Sequence, residues 1–202
     1  MPGLVPAIHV FYADAGSVDA GQKAGATNDM TELALTILAE TPDDAAAVER
    51  LNERTFGPGR YARTAYRIRE RRSHLPALSF IARIGTLLVG SVRLTPIRIG
   101  DTEALLLGPL TVEPPFRQRG IGRALIARAL GEAKTQGHRL VLLVGDAPFY
   151  SRSGFRQVPK GQVTMPGPVD PARLLVVELE QDAFAGVSGG IRPDWDADRS
   201  PA

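Results

Sequence analysis

The sequence contains no cysteine, and its three histidines are scattered along the chain. The absence of cysteine excludes disulfides, a thiolate nucleophile and cysteine-ligated metals, and it fits a reducing compartment. His9, His74 and His138 show none of the close spacings that are typical of metal ligands. We therefore expect neither a bound metal ion nor chemistry on a thiol.

Long hydrophobic runs and a strong net charge are also missing. No apolar stretch approaches the roughly 20 residues that span a bilayer. No positively charged segment precedes the apolar residues at the N-terminus, so a signal peptide is not expected. The net charge of +2 is far too small for a general nucleic-acid binder. We predict a cytoplasmic protein with no membrane partner and no nucleic-acid partner.

The patterned part of the chain predicts one domain, from residue 31 to residue 182. Residues 1–30 show no helical or strand period, and we expect a disordered N-terminal extension there. Residues 183–202 are polar and contain glycine and proline, which predicts a flexible C-terminal tail. Met30 directly precedes the first patterned segment and is an alternative start of translation, a hypothesis that mass spectrometry of the native N-terminus tests.

Apolar periodicity divides this domain into helices and strands. Helices are predicted at residues 42–55, 60–71, 119–136 and 147–153. Strands are predicted at residues 32–39, 78–84, 87–99, 104–112, 140–144, 155–158 and 173–180. Gly108–Pro109 interrupts one strand and indicates a β-bulge or the departure of the neighbouring strand. The third helix joins two apolar strands, which predicts a right-handed βαβ unit with parallel strands.

A basic loop with two glycines leads into the third predicted helix. Gly120 and Gly122 leave the backbone open to a ligand, and the first N–H groups of a helix lack intrahelical partners. The positive end of the helix dipole adds to the charge of Arg117, Arg119 and Arg123. This combination predicts a site for phosphate.

Two common nucleotide-binding motifs do not fit this loop. The dinucleotide fingerprint requires a third glycine where Leu125 stands. A P-loop requires Gly-Lys-Ser or Gly-Lys-Thr, and the sequence contains neither. The remaining interpretation is a shorter phosphate-binding loop, in which Gly120 and Gly122 let a pyrophosphate approach successive backbone N–H groups.

The loop resembles motif A of the GNAT superfamily of acyl-CoA-dependent N-acyltransferases. Arg117, Gly120 and Gly122 occupy the three defining places of the family signature Gln/Arg-x-x-Gly-x-Gly/Ala. Downstream, YSRSGF at 150–155 matches the Tyr-x-x-x-Gly-Phe motif of the same family. The resemblance covers about residues 32–180, and the second motif is most similar to the YhbS-like branch.

The resemblance implies an α/β fold of the GNAT type. Such a fold has a mixed, strongly twisted sheet with a central parallel βαβ wedge, flanked by helices. Acetyl-CoA would enter the wedge as a co-substrate, with no metal. Its pantetheine would pair with backbone groups of the bulged strand, and N–H groups at the helix start would hold its pyrophosphate. The implied binding residues are Leu110, Val112, Arg117, Gln118, Arg119, Gly120, Ile121, Gly122 and Arg123.

Arg117, Arg119 and Arg123 each have an alternative interpretation as a solvated residue at the helix start.

For the chemistry, the resemblance implies Tyr150 as the general acid. A phenol with an ordinary pKa of about 10 is protonated at neutral pH and can therefore donate. The alternative is a tyrosine that packs on the core. Glu103 and Glu113, at the start and end of the bulged strand, are candidate bases, and solvated glutamates are the alternative. Asp146 is expected to cap the short helix, and the alternative is a site residue, because it follows the carboxyl end of a parallel strand, where the sites of α/β proteins gather. Leu143 stands where many relatives place asparagine, so one contact to CoA that the family implies lacks its usual residue.

In this superfamily the first two helices wall the acceptor site. Phe56 and Tyr61 flank a Gly-Pro-Gly break and are candidates for its lining, with core packing as the alternative. The second helix is rich in arginine, which favours either an anionic acceptor or an ordinary solvent-facing charge run. These arginines are Arg60, Arg63, Arg67 and Arg71.

The resemblance therefore implies an N-acetyltransferase that moves an acetyl group from acetyl-CoA to a primary amine by direct attack. The absence of cysteine agrees with direct transfer, since cysteine is the commonest acyl-carrying nucleophile. The expected partner is a small-molecule or peptide amine, and a homodimer is compatible with the family. The alternative is a catalytically weak module that senses acyl-CoA. A nucleotide-binding regulator is disfavoured by the missing glycine and lysine.

Overall fold

The computed structural model describes residues 34–59, 64–70 and 74–194, together with the backbone of residues 10–12. Some sequence predictions fall outside these residues. They concern Met30, Arg60, Tyr61, Arg63 and Arg71.

A mixed sheet of ten strands forms the centre of the described chain. Its strands are β1 (Val10–Tyr12), β2 (Leu35–Ala39), β3 (Phe80–Ile84), β4 (Leu87–Ile99), β5 (Thr102–Val112), β6 (Leu140–Val144), β7 (Arg156–Gln157), β8 (Val163–Thr164), β9 (Leu174–Glu178) and β10 (Gly189–Pro193). The order along the sheet is β1-β2-β3-β4-β5-β6-β9-β7, and β10 pairs with β4 and β8. Strands β2 to β5 run antiparallel, whereas β5 and β6 are parallel, which confirms the predicted βαβ unit.

Four α-helices lie between these strands in the described residues: α1 (Ala45–Phe56), α2 (Thr64–Glu70), α3 (Ile121–Thr135) and α4 (Ala147–Tyr150). A short 3₁₀ turn precedes α1, and there the Thr41 hydroxyl donates to the carboxylate of Asp44 (2.7 Å). Helix α1 ends at Gly57, which has a φ of 66°. Gly137, just past α3, has a φ of 82°, a left-handed conformation that is common where a helix ends.

The central strands β5 and β6 are covered on both faces, as their apolar runs predict. Leu105 and Val141 belong to a buried cluster that includes Leu125 of α3. Their neighbours Leu106 and Leu142 belong to a second buried cluster on the other face. Because side chains alternate across a strand, consecutive apolar residues need cover on both sides of the sheet.

Strands β5 and β6 separate halfway along their length. Their pairing ends at Leu106 with Leu142, while β5 continues to Val112. On its other edge, β5 shifts register against β4 at Gly108 and Pro109, which confirms the predicted bulge. The peptide between these two residues is cis. The gap between the diverging strands opens the space in which the site lies.

The C-terminal residues up to position 194 are part of the folded domain, in contrast to the predicted tail from residue 183. Strand β10 pairs antiparallel with β4, and Phe184 and Ile191 are buried. Similarly, β1 pairs in parallel with β2, although it lies in the segment predicted to be disordered. Both segments are held by strands that are distant in sequence, which local periodicity does not report.

Candidate active site

Two cavities share Tyr150 in their lining. The α3 cavity, of about 650 Å³, lies at the start of α3 and includes Gly120 and Gly122. The bulge cavity, of about 460 Å³, lies beside the β5 bulge and includes Gly108 and Pro109. Both volumes fall in the range of small-molecule sites. The residues that line both cavities are Phe56, Leu110, Asp146 and Tyr150.

The loop before α3 presents backbone N–H groups to the α3 cavity. The first intrahelical hydrogen bond runs from the N–H of Ala124 to the carbonyl of Gly120 (3.0 Å). The N–H groups of the three preceding helical residues therefore have no acceptor within the helix. Gly120 has a φ of 83°, and Gln118 has a φ of 63°, which is uncommon for a residue with a side chain. These paired left-handed residues fold the loop into a concave cradle for an anion.

Arginines surround this cradle, but they are not the same three arginines that the sequence predicted. Arg117 and Arg123 line the α3 cavity, and the Nε of Arg117 donates to the carbonyl of Val112 (3.2 Å). Arg119 lies outside the lining, and its guanidinium stands over the ring of Phe116, with its Cζ 5.7 Å from the ring centroid. The third cavity arginine is Arg152, which sequence reasoning missed. Its position two residues after the motif tyrosine was the available signal.

The remaining residues predicted for the co-substrate also lie at the α3 cavity. A Cβ atom on Gly122 would lie 3.3 Å from Cζ of Phe149 and 3.7 Å from Cγ2 of Val112, so a larger residue would fill the narrow part of the cavity. Phe149 is 41% exposed, and it lines the same cavity. Further members of the predicted set in this lining are Leu110, Val112, Gln118, Gly120 and Ile121.

Tyr150 is held by aromatic neighbours at the end of α4. Its ring packs edge-on against Phe149 and Phe155, with centroid separations of 4.8 and 5.9 Å. Burial, reinforced by the nearby charge of Asp146, raises the pKa of Tyr150 to about 12. The positive charges of Arg69 and Arg173 oppose this shift. The phenol is therefore protonated at neutral pH and can donate a hydrogen bond.

Gly145 lets the Tyr150 ring approach the end of β6. A Cβ atom at position 145 would lie 2.9 Å from Cδ2 of that ring and closer still to Cε2. Any side chain at position 145 would therefore push the phenol out of its place. Gly145 and Tyr150 together therefore set the shape of the site.

The two glutamates predicted as bases lie outside both cavity linings. Glu103 is 75% exposed and accepts a hydrogen bond from Nη2 of Arg98 (2.8 Å). Glu113 accepts hydrogen bonds from Arg54. Both carboxylates therefore have an arginine partner away from Tyr150.

Asp146 is the carboxylate that both cavity linings share. It occupies the predicted N-cap position of α4, where its backbone carbonyl accepts from the N–H of Phe149 (3.0 Å). Its exposed side chain pairs with Nη2 of Arg173 (3.3 Å). Asp146 therefore lies where the two cavities meet, whereas neither predicted glutamate lines a cavity.

Helix α2 contributes a cation to the bulge cavity. Arg69 lines this cavity, and its Nη2 donates to the carbonyl of Leu107 (3.4 Å). The arginine predicted from the same helix, Arg67, is exposed and lines neither cavity. Phe56, a candidate for the lining of the acceptor site, lines both cavities.

Within the described ranges, no cluster of three or more histidine, cysteine, aspartate or glutamate side chains could hold a metal ion. No helix of the described residues is long and apolar enough to cross a bilayer.

The chain is similar to known acetyltransferases in sequence. The sequence model of the Acetyltransferase (GNAT) domain matches residues 76–157. The uncharacterized N-acetyltransferase YhbS of Escherichia coli K12 is 27% identical over 158 residues, which cover 77% of this chain and 93% of that protein.

Solved structures of acetyltransferases are also similar to this chain. The GNAT family N-acetyltransferase YhbS from Escherichia coli, crystallised in complex with CoA, has a TM-score of 0.71 and 25% identity, and covers 87% of this chain and 98% of its own. A GNAT family acetyltransferase from Brucella melitensis, in complex with acetyl-CoA, has a TM-score of 0.52 and 28% identity, with coverages of 74% and 97%. Residues 76–157 thus match the acetyltransferase (GNAT) domain, and the chain is similar in sequence and fold to YhbS over most of its length.

Proposed function

We propose that this protein transfers an acetyl group from acetyl-CoA to a primary amine. The observation that carries the proposal is the pair of cavities that share Tyr150. A transferase with two substrates needs two sites that meet at the reacting atoms, with a proton donor at the meeting point. In this assignment the α3 cavity takes acetyl-CoA and the bulge cavity takes the amine.

The α3 cavity suits acetyl-CoA in its charge and in its backbone. Its N–H groups and the side chains of Arg117, Arg123 and Arg152 suit a diphosphate. Beyond Leu106, β5 leaves its pairing with β6, so the amide groups of the pantetheine arm can pair with the free edge near Leu110. The CoA and acetyl-CoA complexes of the two structural relatives support this assignment.

The proposed reaction is direct attack of the neutral amine nitrogen on the thioester carbonyl carbon. A C–N bond forms and the C–S bond breaks, so the products are the acetylated amine and the CoA thiol. Tyr150 would donate to the sulfur as negative charge develops on it. Asp146 would accept the surplus proton of the incoming ammonium, directly or through water. That proton leaves to solvent, and the proton that the nitrogen loses on acylation ends on the sulfur, so Tyr150 keeps its own proton.

An assay with acetyl-CoA and a panel of primary amines tests the proposal. Small amines, amino acids, short peptides and lysine side chains are incubated separately with the protein. We expect CoA thiol to be released together with acetylated product for at least one class, as measured by thiol titration and mass spectrometry. Binding of acetyl-CoA without turnover in any class would favour the acyl-CoA-sensing module instead. Absence of acetyl-CoA binding would contradict both functions.

The pH dependence of this reaction follows from the burial of Tyr150. Because burial raises the pKa of Tyr150 to about 12, the phenol keeps its proton above pH 10, where an ordinary tyrosine loses it. For an acceptor amine without a carboxylate, we expect kcat/KM to rise with pH as the amine loses its proton, and then to level off without a fall near pH 10. A decrease with an apparent pKa near 10 that disappears in Tyr150→Phe would contradict this prediction.

A further inference from the structure

The guanidinium of Arg69 lies against the β5 bulge, at the cavity assigned to the amine. A Cβ atom on Gly108 would lie only 2.6 Å from its Nη2, so the guanidinium touches the bulge backbone. Its Cζ stands 5.4 Å from the centroid of the Tyr66 ring, which restrains the side chain from the other side. The cation is thus fixed in place by its surroundings before any ligand binds.

No carboxylate within the described residues pairs with Arg69. Its one hydrogen bond in this part of the chain is the long contact to Leu107, and its Nε is buried without an acceptor. The other charged groups that face the bulge cavity are engaged elsewhere. Arg173 pairs with Asp146, and the carboxylate of Asp170 accepts from the N–H of Ala172 (2.9 Å).

A buried cation without a counterion is costly to the folded protein. Burial lowers the pKa of Arg69 to about 10, so the guanidinium still carries its charge at neutral pH. A planar guanidinium is suited to bidentate recognition of a carboxylate. A ligand carboxylate in the bulge cavity would therefore supply the counterion that Arg69 lacks.

We propose that the acceptor is a small primary amine that carries a carboxylate, and that Arg69 binds this carboxylate in the bulge cavity. The inference rests on the acetyl transfer proposed above, and it narrows the acceptor to amino-acid-like molecules. The volume of about 460 Å³ is at the small end of ligand sites. Arg69 here selects the substrate, and Tyr150 remains the group at the reacting atoms.

The test compares amino acids with their carboxamides as acceptors, in the full-length protein and in Arg69→Met. The substitution keeps an unbranched side chain and removes the charge. We expect kcat/KM for amino acids to fall about 10- to 100-fold, while the rate with carboxamides changes less than about threefold. The intrinsic difference in amine reactivity between the two acceptor series cancels, since the ratio is compared between variants. Arg69→Lys is expected to recover part of the preference, because it restores a point charge without the planar fork.

Arg67→Met is the matched control. It removes one arginine charge from the exposed side of the same helix, outside both cavities, and should leave the preference unchanged. Failure of the unaltered protein to acetylate amino acids, while it acetylates other amines, would overturn the inference and leave acetyl transfer intact. Equal loss for both acceptor series in Arg69→Met would also overturn it, since that result indicates a structural role. Failure to acetylate any amine would instead refute the function on which the inference rests.

Discussion

Replacing Gly120 with glutamate is expected to weaken the binding of acetyl-CoA at least about a hundredfold, as measured by titration calorimetry. The new carboxylate would lie beside the N–H groups at the start of α3 and occupy the anion cradle itself. Two like charges about 4 Å apart near a protein surface repel by about 4 kcal/mol, which exceeds the 2.7 kcal/mol of a hundredfold loss. The left-handed backbone at this position, with a φ of 83°, adds strain to the loop.

Gly161→Glu provides a control for both charge and strain. Gly161 also has a φ of 83°, and no atom lies within 4 Å of the position that its Cβ would take. It lines neither cavity, so the same added charge and the same backbone strain act away from the cradle. We expect its acetyl-CoA affinity to match that of the unaltered protein. Unchanged affinity in Gly120→Glu would refute the α3 cavity as the acetyl-CoA site.

The elements around α3 were predictable because their signals are local. Helix α3 and the strands on either side of it carry apolar runs of the right length, and glycines stand at the two ends of the helix. The bulge in β5 was also readable, since Pro109 cannot donate to a strand neighbour. The resemblance to a known motif then made acetyl-CoA the predicted ligand of this anion site.

The polar groups of the acceptor side were not predictable in the same way. Arg69 stands four residues after Ala65, and both line the bulge cavity, so a helical period connects them. That period was present in the sequence, but the other arginines of this helix made Arg69 look like one member of a solvated run. What distinguishes Arg69 is its contact with the bulge of β5, which only the tertiary fold supplies.

The position of Glu103, one of the predicted bases, shows a second limit of prediction from local sequence patterns. Glu103 stands seven residues before Leu110 on β5, which corresponds to roughly 23 Å of extended strand. It therefore lies at the far end of the strand from the gap between β5 and β6. Asp146 follows the end of β6 directly, where the strands have separated. The strand ends that meet at the site depend on strand order and direction, and these are properties of the whole sheet.

Tyr150→Phe is expected to lower kcat about 10²- to 10³-fold while the affinity for acetyl-CoA changes less than about threefold. Phenylalanine keeps the ring that packs against Phe149 and Phe155, so the shape of both cavities is retained. Steady-state kinetics gives kcat, and calorimetry gives the affinity. An unchanged kcat would remove Tyr150 from the chemistry. A parallel loss of affinity or of thermal stability would indicate a packing role instead.

The raised pKa of Tyr150 also specifies how the phenol would act. A phenol with a pKa of about 12 is a weaker acid than a thiol with an ordinary pKa of about 8.5, so complete transfer of its proton to the sulfur is unfavourable. Tyr150 is better suited to hydrogen-bond the sulfur as charge develops, with the proton of the attacking nitrogen ending on the thiol. An acetyl thioester of a more acidic aromatic thiol needs less of this help. With that donor, the rate of the unaltered protein divided by the rate of Tyr150→Phe should therefore be smaller than with acetyl-CoA. An unchanged ratio would show that Tyr150 does not act on the leaving sulfur.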